Sequence, residues 1–172
     1  MPQLKRVLSP QRCLSPRWCL SPAFPLDLAP RSGYSKQMPF TYACTVHFAD
    51  TDAAGVVFFA NYLRICHEAY EAALAAAGIE LKSFFSEAGV MVPIARSEAS
   101  YLRPLYPGDK LSVSCAPAPL SDHSYEIRFE ITRLGPPHKA AGRVRTEHVC
   151  IGSKSRERQA LPEALAAWVK SG

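Results

Sequence analysis

The sequence predicts an α+β domain in which one antiparallel sheet wraps a single long helix. Three observations lead there. An alternating run, Thr41 to Phe48, gives way to helical spacing across a short loop that holds two carboxylates. Four further strand-like runs follow, joined by turn-forming residues. One of them, His123 to Leu134, alternates apolar and polar residues so regularly that one face must pack while the other stays wet.

In chain order, Tyr42, Cys44, Val46 and Phe48 are apolar while Thr41, Thr45 and His47 are not, the period of a half-buried strand. After the Asp50 to Gly55 loop, Leu63, Cys66 or His67, Tyr70, Leu74 and Ala77 recur at helical spacing, which predicts a helix from about Ala60 to Ala77 with Gly78 as its C-terminal stop. Alanines at 69, 72, 73, 75, 76 and 77 make it slim enough to lie close against a sheet. A short helix is expected around Leu81 to Ala88, ended by Gly89. The remaining strands are expected at Val90 to Tyr101, Lys110 to Ala118, His123 to Leu134 and Lys139 to Ile151, with turns at Pro107-Gly108-Asp109 and Gly135-Pro136-Pro137. In the clearest strand Tyr125, Ile127, Phe129 and Ile131 point one way and Ser124, Glu126, Arg128, Glu130 and Thr132 the other. Leu161 to Val169, with Pro162 in its first turn, predicts a terminal helix. A single open sheet exposes its edges, and pairing two subunits edge to edge would cover them, so a symmetric dimer at least is expected.

Composition narrows the function. The 172 residues, 48% of them hydrophobic, suit one core with an appendage. The formal charge of +5 invites a nucleic-acid partner, but residues 1–37 hold six basic side chains against Asp27 alone, and from Met38 onward 14 basic residues face 14 acidic ones. The expected domain, 38–172, is therefore neutral, and neither a nucleic acid nor a membrane is an expected partner. Residues 1–37, which repeat Leu-Ser-Pro three times, are expected to be a disordered basic tail. An organelle address and an over-long start ahead of Met38 are the alternatives, and cytoplasm is the default location. The six cysteines form no C-x-x-C pair and no zinc spacing, which fits reduced thiols.

The candidate chemistry sits in the loop. An aspartate before a helix is ordinarily a turn former or an N-cap. Asp52, however, is followed by the small residues Ala53-Ala54-Gly55 and then by the apolar run Val56 to Phe59, beside helix amides that have no intrahelical partner. A carboxylate there can attack a carbonyl or direct water at it. Asp50, on the strand's exit, is expected to brace the loop. His67-Glu68 lacks the second histidine of a metalloprotease helix, since Glu71 stands in its place, and Glu68 and Glu71 read as solvated. The other histidines, His47, His123, His138 and His148, form no ligand cluster, and neither a serine elbow nor a phosphate loop is present. Arg143 and Arg145 alternate on one strand face; such a pair is usually a wet face, or else it holds phosphates of a nucleotide-bearing substrate.

The stretch Asp50-Thr51-Asp52-Ala53-Ala54-Gly55-Val56-Val57-Phe58-Phe59-Ala60-Asn61-Tyr62 resembles the signature of hotdog-fold acyl-CoA thioesterases of the 4-hydroxybenzoyl-CoA thioesterase type. The likeness runs from about Pro39 to Ile151 and includes Tyr101-Leu102-Arg103-Pro104-Leu105-Tyr106-Pro107-Gly108-Asp109. It implies a hotdog fold, an acyl-CoA substrate, Asp52 as nucleophile or general base, and the Phe59 amide as the group that polarises the thioester carbonyl. It also implies sites at a dimer interface, commonly in dimers of dimers, and no metal or cofactor. Phe59 and Phe48 stand where a short-chain branch of the family carries histidine and tyrosine, so an aromatic acyl group is expected. The Met38 to Tyr42 start, the Phe48 to Asp52 motif and the Cys66 to Glu71 helix are similar to the cyanobacterial branch that hydrolyses 1,4-dihydroxy-2-naphthoyl-CoA in phylloquinone synthesis. Two alternatives remain at this point. One is a thioesterase for a short-chain or benzoyl-type acyl group, and the other is a non-catalytic acyl-binding protein of the same fold.

Overall fold

The computed structural model describes residues 39–82 and 89–172. The expected tail at 1–37 and most of the expected helix at Leu81 to Ala88 lie outside the described residues.

Strand β1 (Phe40–Thr45) leads through a single 3-10 turn, Phe48–Asp50, and a loop into helix α1 (Phe59–Ala76). Then come β2 (Val90–Met91), β3 (Ile94–Tyr101), β4 (Lys110–Ser121), β5 (Ser124–Arg133), β6 (Lys139–Val149), β7 (Ile151–Gly152) and helix α2 (Glu163–Lys170). Five strands pair antiparallel in the order β1-β4-β5-β6-β3, and β2 pairs with β7. Helix α1 touches β4 and β6 inside the sheet and also both edge strands, β1 and β3, so the sheet curves around it. This is the expected hotdog arrangement.

The helix packs because its apolar stripe is continuous: Tyr62, Ile65, Cys66, Ala69, Tyr70, Ala73 and Leu74 are buried. Ala69 and Ala73, one turn apart, let the backbone approach the sheet, whereas Ala75 to Ala77 are exposed. At its end Gly78 takes φ +76°, and the Gly78 and Ile79 amides donate back to Ala75 and Leu74, each at 3.0 Å. Facing the helix, β4 contributes Leu111, Val113 and Cys115, and β5 contributes Tyr125, Ile127, Phe129 and Ile131. Leu165 and Val169 of α2 close the same core.

Four expectations need correction. The run from Val90 to Tyr101 is two strands, because the chain breaks at Val92-Pro93, where proline offers no amide, and β2 then leaves the main sheet for β7. Phe48, expected inward, is 85% exposed, since the extended backbone ends at Thr45 and the chain coils into the 3-10 turn. Pro162 is the N-cap of α2 rather than a residue of its first turn. Glu126 does lie on the face away from α1, but it is only 3% exposed, because the guanidinium groups of Arg128 and Arg145 close over it at 2.6 Å each.

Candidate active site

The loop between β1 and α1 is built by local hydrogen bonds. Thr51 and Val57 form an antiparallel bridge, and between them the Asp52 amide donates to the Val56 carbonyl at 3.0 Å while the Gly55 amide donates to the Asp52 carbonyl at 2.9 Å. Gly55 adopts φ +74°, a left-handed conformation that a residue with a Cβ resists. Asp52 is thus exposed at the tip of a tight turn. Its Oδ1 accepts the Ala54 amide at 2.8 Å, and among the described residues its Oδ2 has no hydrogen-bond partner.

Asp50 braces this turn. It is 7% exposed, its carboxylate accepts the His47 amide at 2.7 Å and pairs with Arg64 of α1, and its carbonyl accepts Phe58 N–H at 2.9 Å and Asn61 Nδ2 at 2.8 Å. The 101–109 segment holds the loop from the other side. Val57 N–H donates to the Leu105 carbonyl at 2.9 Å, Tyr62 Oη donates to the Arg103 carbonyl at 3.1 Å, and the Gly108 amide donates to the Val46 carbonyl at 2.8 Å. The helix start is therefore fixed relative to Asp52 by bonds from two directions.

Helix α1 begins at Phe59 with Phe58 as N-cap and no side-chain cap. The Asn61 amide turns back to the Phe58 carbonyl at 2.8 Å, but among the described residues the Phe59 amide has no backbone acceptor. An uncapped first amide at the positive end of a helix can bind a carbonyl oxygen and stabilise negative charge there. The Phe58 and Phe59 rings, 4.5 Å apart, are both exposed and make the surroundings apolar.

Arg143 and Arg145 lie elsewhere. Gly142, two residues from Val144 on the packed side of β6, has its Cβ position 3.0 Å from the Tyr62 ring, so the alternate residues Arg143 and Arg145 face away from α1. Arg143 is half exposed and meets Glu130 at 3.4 Å. Arg145 is held by Glu126 and Glu147, each at 2.6 Å, with Glu98 at 3.9 Å, so three carboxylates already surround its guanidinium. Glu68 and Glu71 pair along the helix with Arg64 and His67.

A cavity of about 410 Å³ opens between α1 and the β3–β6 side of the sheet, lined on the helix by Leu63, Arg64, His67 and Tyr70 and on the sheet by residues that include Phe129, Thr146 and His148. Sequence reasoning missed this last pair. The available signal was parity: Thr146 and His148 fall on the same inward alternation as Val144, where a polar residue is out of place unless it has a task. The buried thiols supply no rival nucleophile. Burial pushes Cys115 up to about 12 and Cys66 higher, so both stay protonated.

Residues 46–169 match the thioesterase-like superfamily. The chain belongs to that superfamily. A 1,4-dihydroxy-2-naphthoyl-CoA hydrolase from Rippkaea orientalis is 44% identical to this thioesterase-like chain over 130 residues, 76% of the chain and 94% of the relative. Another of that name, from Thermosynechococcus vestitus, is 46% identical over 130 residues, covering 76% and 88%. The solved structure of a 1,4-dihydroxy-2-naphthoyl-CoA thioesterase from Synechocystis aligns with a TM-score of 0.72 at 32% identity, covering 76% of this chain and 94% of that one. A 4-hydroxybenzoyl-CoA thioesterase, 19% identical with a TM-score of 0.69 and coverage of 77% and 99%, shares the fold.

Proposed function

We propose that this protein is a thioesterase that hydrolyses 1,4-dihydroxy-2-naphthoyl-CoA to 1,4-dihydroxy-2-naphthoate and free CoA, a step of phylloquinone synthesis. The observation that carries the reading is the agreement of two independent features. Relatives more than 40% identical over nearly their whole length bear that activity in their names. This chain also keeps a carboxylate with one unengaged oxygen, Asp52, on a loop fastened to an uncapped helix start.

In this reading the thioester carbonyl oxygen accepts the Phe59 N–H, which draws electron density from the carbonyl carbon. Asp52 then acts through Oδ2, either as a general base that takes a proton from the attacking water or as a nucleophile that forms a mixed anhydride, which water opens. As a base, Asp52 takes a proton from water as it attacks, the C–S bond breaks when the adduct collapses, and CoA leaves as a thiolate that takes up that proton. As a nucleophile, Asp52 displaces CoA as a thiolate, and water then opens the anhydride, giving one proton to the thiolate and one to solvent while the acid and the Asp52 carboxylate are released. Of the two strand arginines, Arg143 is the one available to turn toward a CoA phosphate, because Arg145 is committed to its carboxylates.

The test is CoA release from 1,4-dihydroxy-2-naphthoyl-CoA, benzoyl-CoA and a short aliphatic acyl-CoA. The expected result is the highest kcat/KM on the naphthoyl thioester; equal or better turnover of the aliphatic one would reject the aromatic assignment. We also infer that two copies pair along exposed edge strands, with dimers pairing again. The apolar residues Ile94 and Tyr101 are exposed on β3, an edge that a second copy would cover. Light scattering should return a dimer or tetramer, and a monomeric mass across the micromolar range would refute the pairing.

A further inference from the structure

The neutral charge count over residues 38–172 conceals an uneven distribution, because strand register collects cations at one end of the main sheet. Thr45, the last residue of β1, pairs with Lys110, the first of β4. Leu111 pairs with Arg133, the last residue of β5, and Arg133 pairs with Lys139, the first of β6. Lys110 Nζ donates to Thr45 Oγ1 at 2.8 Å, and Arg103 Nη1 donates to the Ala140 carbonyl at 2.5 Å, which brings Arg103 to the same end. Neighbouring strands lie about 5 Å apart, so these four strand ends fall within roughly 15 Å of one another. Segments 45–48, 101–110 and 133–139, which make up this end, carry four basic residues and one acidic one, Asp109. Its Oδ2 is engaged within its own turn by the Tyr106 amide at 2.9 Å, with Arg133 Nη1 3.9 Å away. Even with the exposed Asp52 of the adjoining loop counted, the end is positive on a domain that is neutral in sum.

Large apolar side chains stand among these cations. Phe48 is 85% exposed, Tyr106 46% and Leu134 38%. The Gly108 amide, donating to Val46, ties the turns of Tyr106 and Phe48 together, and the Leu134 amide donates to the Lys110 carbonyl at 2.7 Å. The three side chains come from three different turns: the 3-10 turn after β1, the turn before β4 and the β5–β6 connection. A folded partner would have to offer a shaped recess for each, whereas the headgroup region of a bilayer is fluid and takes apolar side chains singly, while its anionic headgroups attract the cations between them. Lysine and arginine suit that place, since their stems lie on apolar surroundings and their charged heads stay with the phosphates. Edge-to-edge pairing of two copies uses strand edges and leaves these strand ends open. Among the described residues no helix is long and apolar enough to cross a membrane, so the contact is with its surface.

We propose that this end docks the protein on an anionic lipid surface, with Phe48, Tyr106 and Leu134 dipping between the headgroups and Lys110, Arg133 and Lys139 facing lipid phosphates. The inference goes beyond the thioesterase reading, and its test needs no turnover. The full chain is sedimented with vesicles of phosphatidylcholine alone and of equal parts phosphatidylglycerol and phosphatidylcholine. Binding is expected to the anionic vesicles only, and to weaken with added salt. Lys110→Gln combined with Lys139→Gln should weaken it at least about tenfold, since each basic residue near such a surface is worth about fivefold. Lys154→Gln combined with Arg158→Gln, at the far end of β6 and roughly 30 Å away, should change it less than about twofold. Residues 1–37 are common to all these proteins, so the differences between them do not come from that segment. Leu134→Trp locates the contact: its added fluorescence should be quenched on anionic vesicles whose acyl chains carry bromine. Equal binding by the two double variants, or an unquenched Leu134→Trp signal on bound protein, would overturn the inference and assign any binding to another part of the chain. Absence of binding to either vesicle would overturn it as well, and a light-scattering mass halved by Leu134→Ser would then give this end to a second copy. CoA release measured without vesicles reads the proposed function separately. Turnover without vesicle binding would reject the docking alone, and vesicle binding without turnover would reject the thioesterase reading alone.

Discussion

Replacing Asp52 with Asn should lower kcat on the preferred thioester by about 10²- to 10⁴-fold, the usual contribution of a positioned general base, while KM changes little. Asn keeps an acceptor oxygen at the position of Oδ1, so the 2.8 Å bond from the Ala54 amide and the turn it closes are retained. What is lost is the charge and basicity of Oδ2, the oxygen that has no partner among the described residues. The Phe59 amide would still polarise a bound carbonyl, so residual turnover above the uncatalysed rate is expected. The measurement is CoA release by the two proteins side by side, with thermal unfolding to show that they are equally folded. Equal turnover would mean that Asp52 serves only the turn. Asp50→Asn is the informative contrast: Asp50 is buried against Arg64 and the His47 amide, so its loss should lower stability as well as activity.

The second large effect is on stability in acid. An unperturbed histidine titrates near 6.5, whereas His148 is lowered to about 4 by burial and, secondarily, by His67. Between those values the unfolded chain takes up a proton that the folded chain refuses, so stability is complete above about pH 6.5 and falls as pH drops toward 4. At 1.36 kcal/mol per unit, this one group accounts for a loss of about 3 kcal/mol across that window. Other groups also titrate across this window, so the contribution of His148 is read as the difference between two proteins that differ only there. His148→Phe keeps an aromatic ring to stack on Tyr125 and removes the titration. Urea unfolding at pH 7 and pH 4 should show a loss about 3 kcal/mol smaller in the variant. The same pH dependence in both would show that His148 takes no part in it.

Much of this molecule was legible along the chain. Period-two alternation placed β5 within a residue at each end, and helical spacing placed α1 within one, because each element buries one face and its letters record which. The left-handed turn residue Gly78 and the small residues after Asp52 were readable for the same reason: they reflect local backbone constraints. Asp52 and Asp50 could be assigned different positions in the loop, and the structure separates them as an exposed tip and a buried brace.

The rest depends on strand order and register, which bring together residues that no local pattern connects. The burial of Glu126 follows from its neighbours Arg128 and Arg145, the second supplied by an adjacent strand. Phe48 points outward because the chain leaves the β1–β4 ladder after Thr45, where tertiary bonds to the 101–109 segment redirect it. The Thr146–His148 pair becomes a cavity wall only when α1 crosses β6 with Tyr70 beside it, 78 residues earlier in the chain than His148. Alternation states that both side chains point inward, but only packing decides what they meet. By itself the sequence determined the elements, the inward faces and the loop carboxylates, each set by interactions among residues a few positions apart. Only the tertiary structure decided which polar groups stay unsatisfied and where space is left beside them, since both depend on contacts between distant segments.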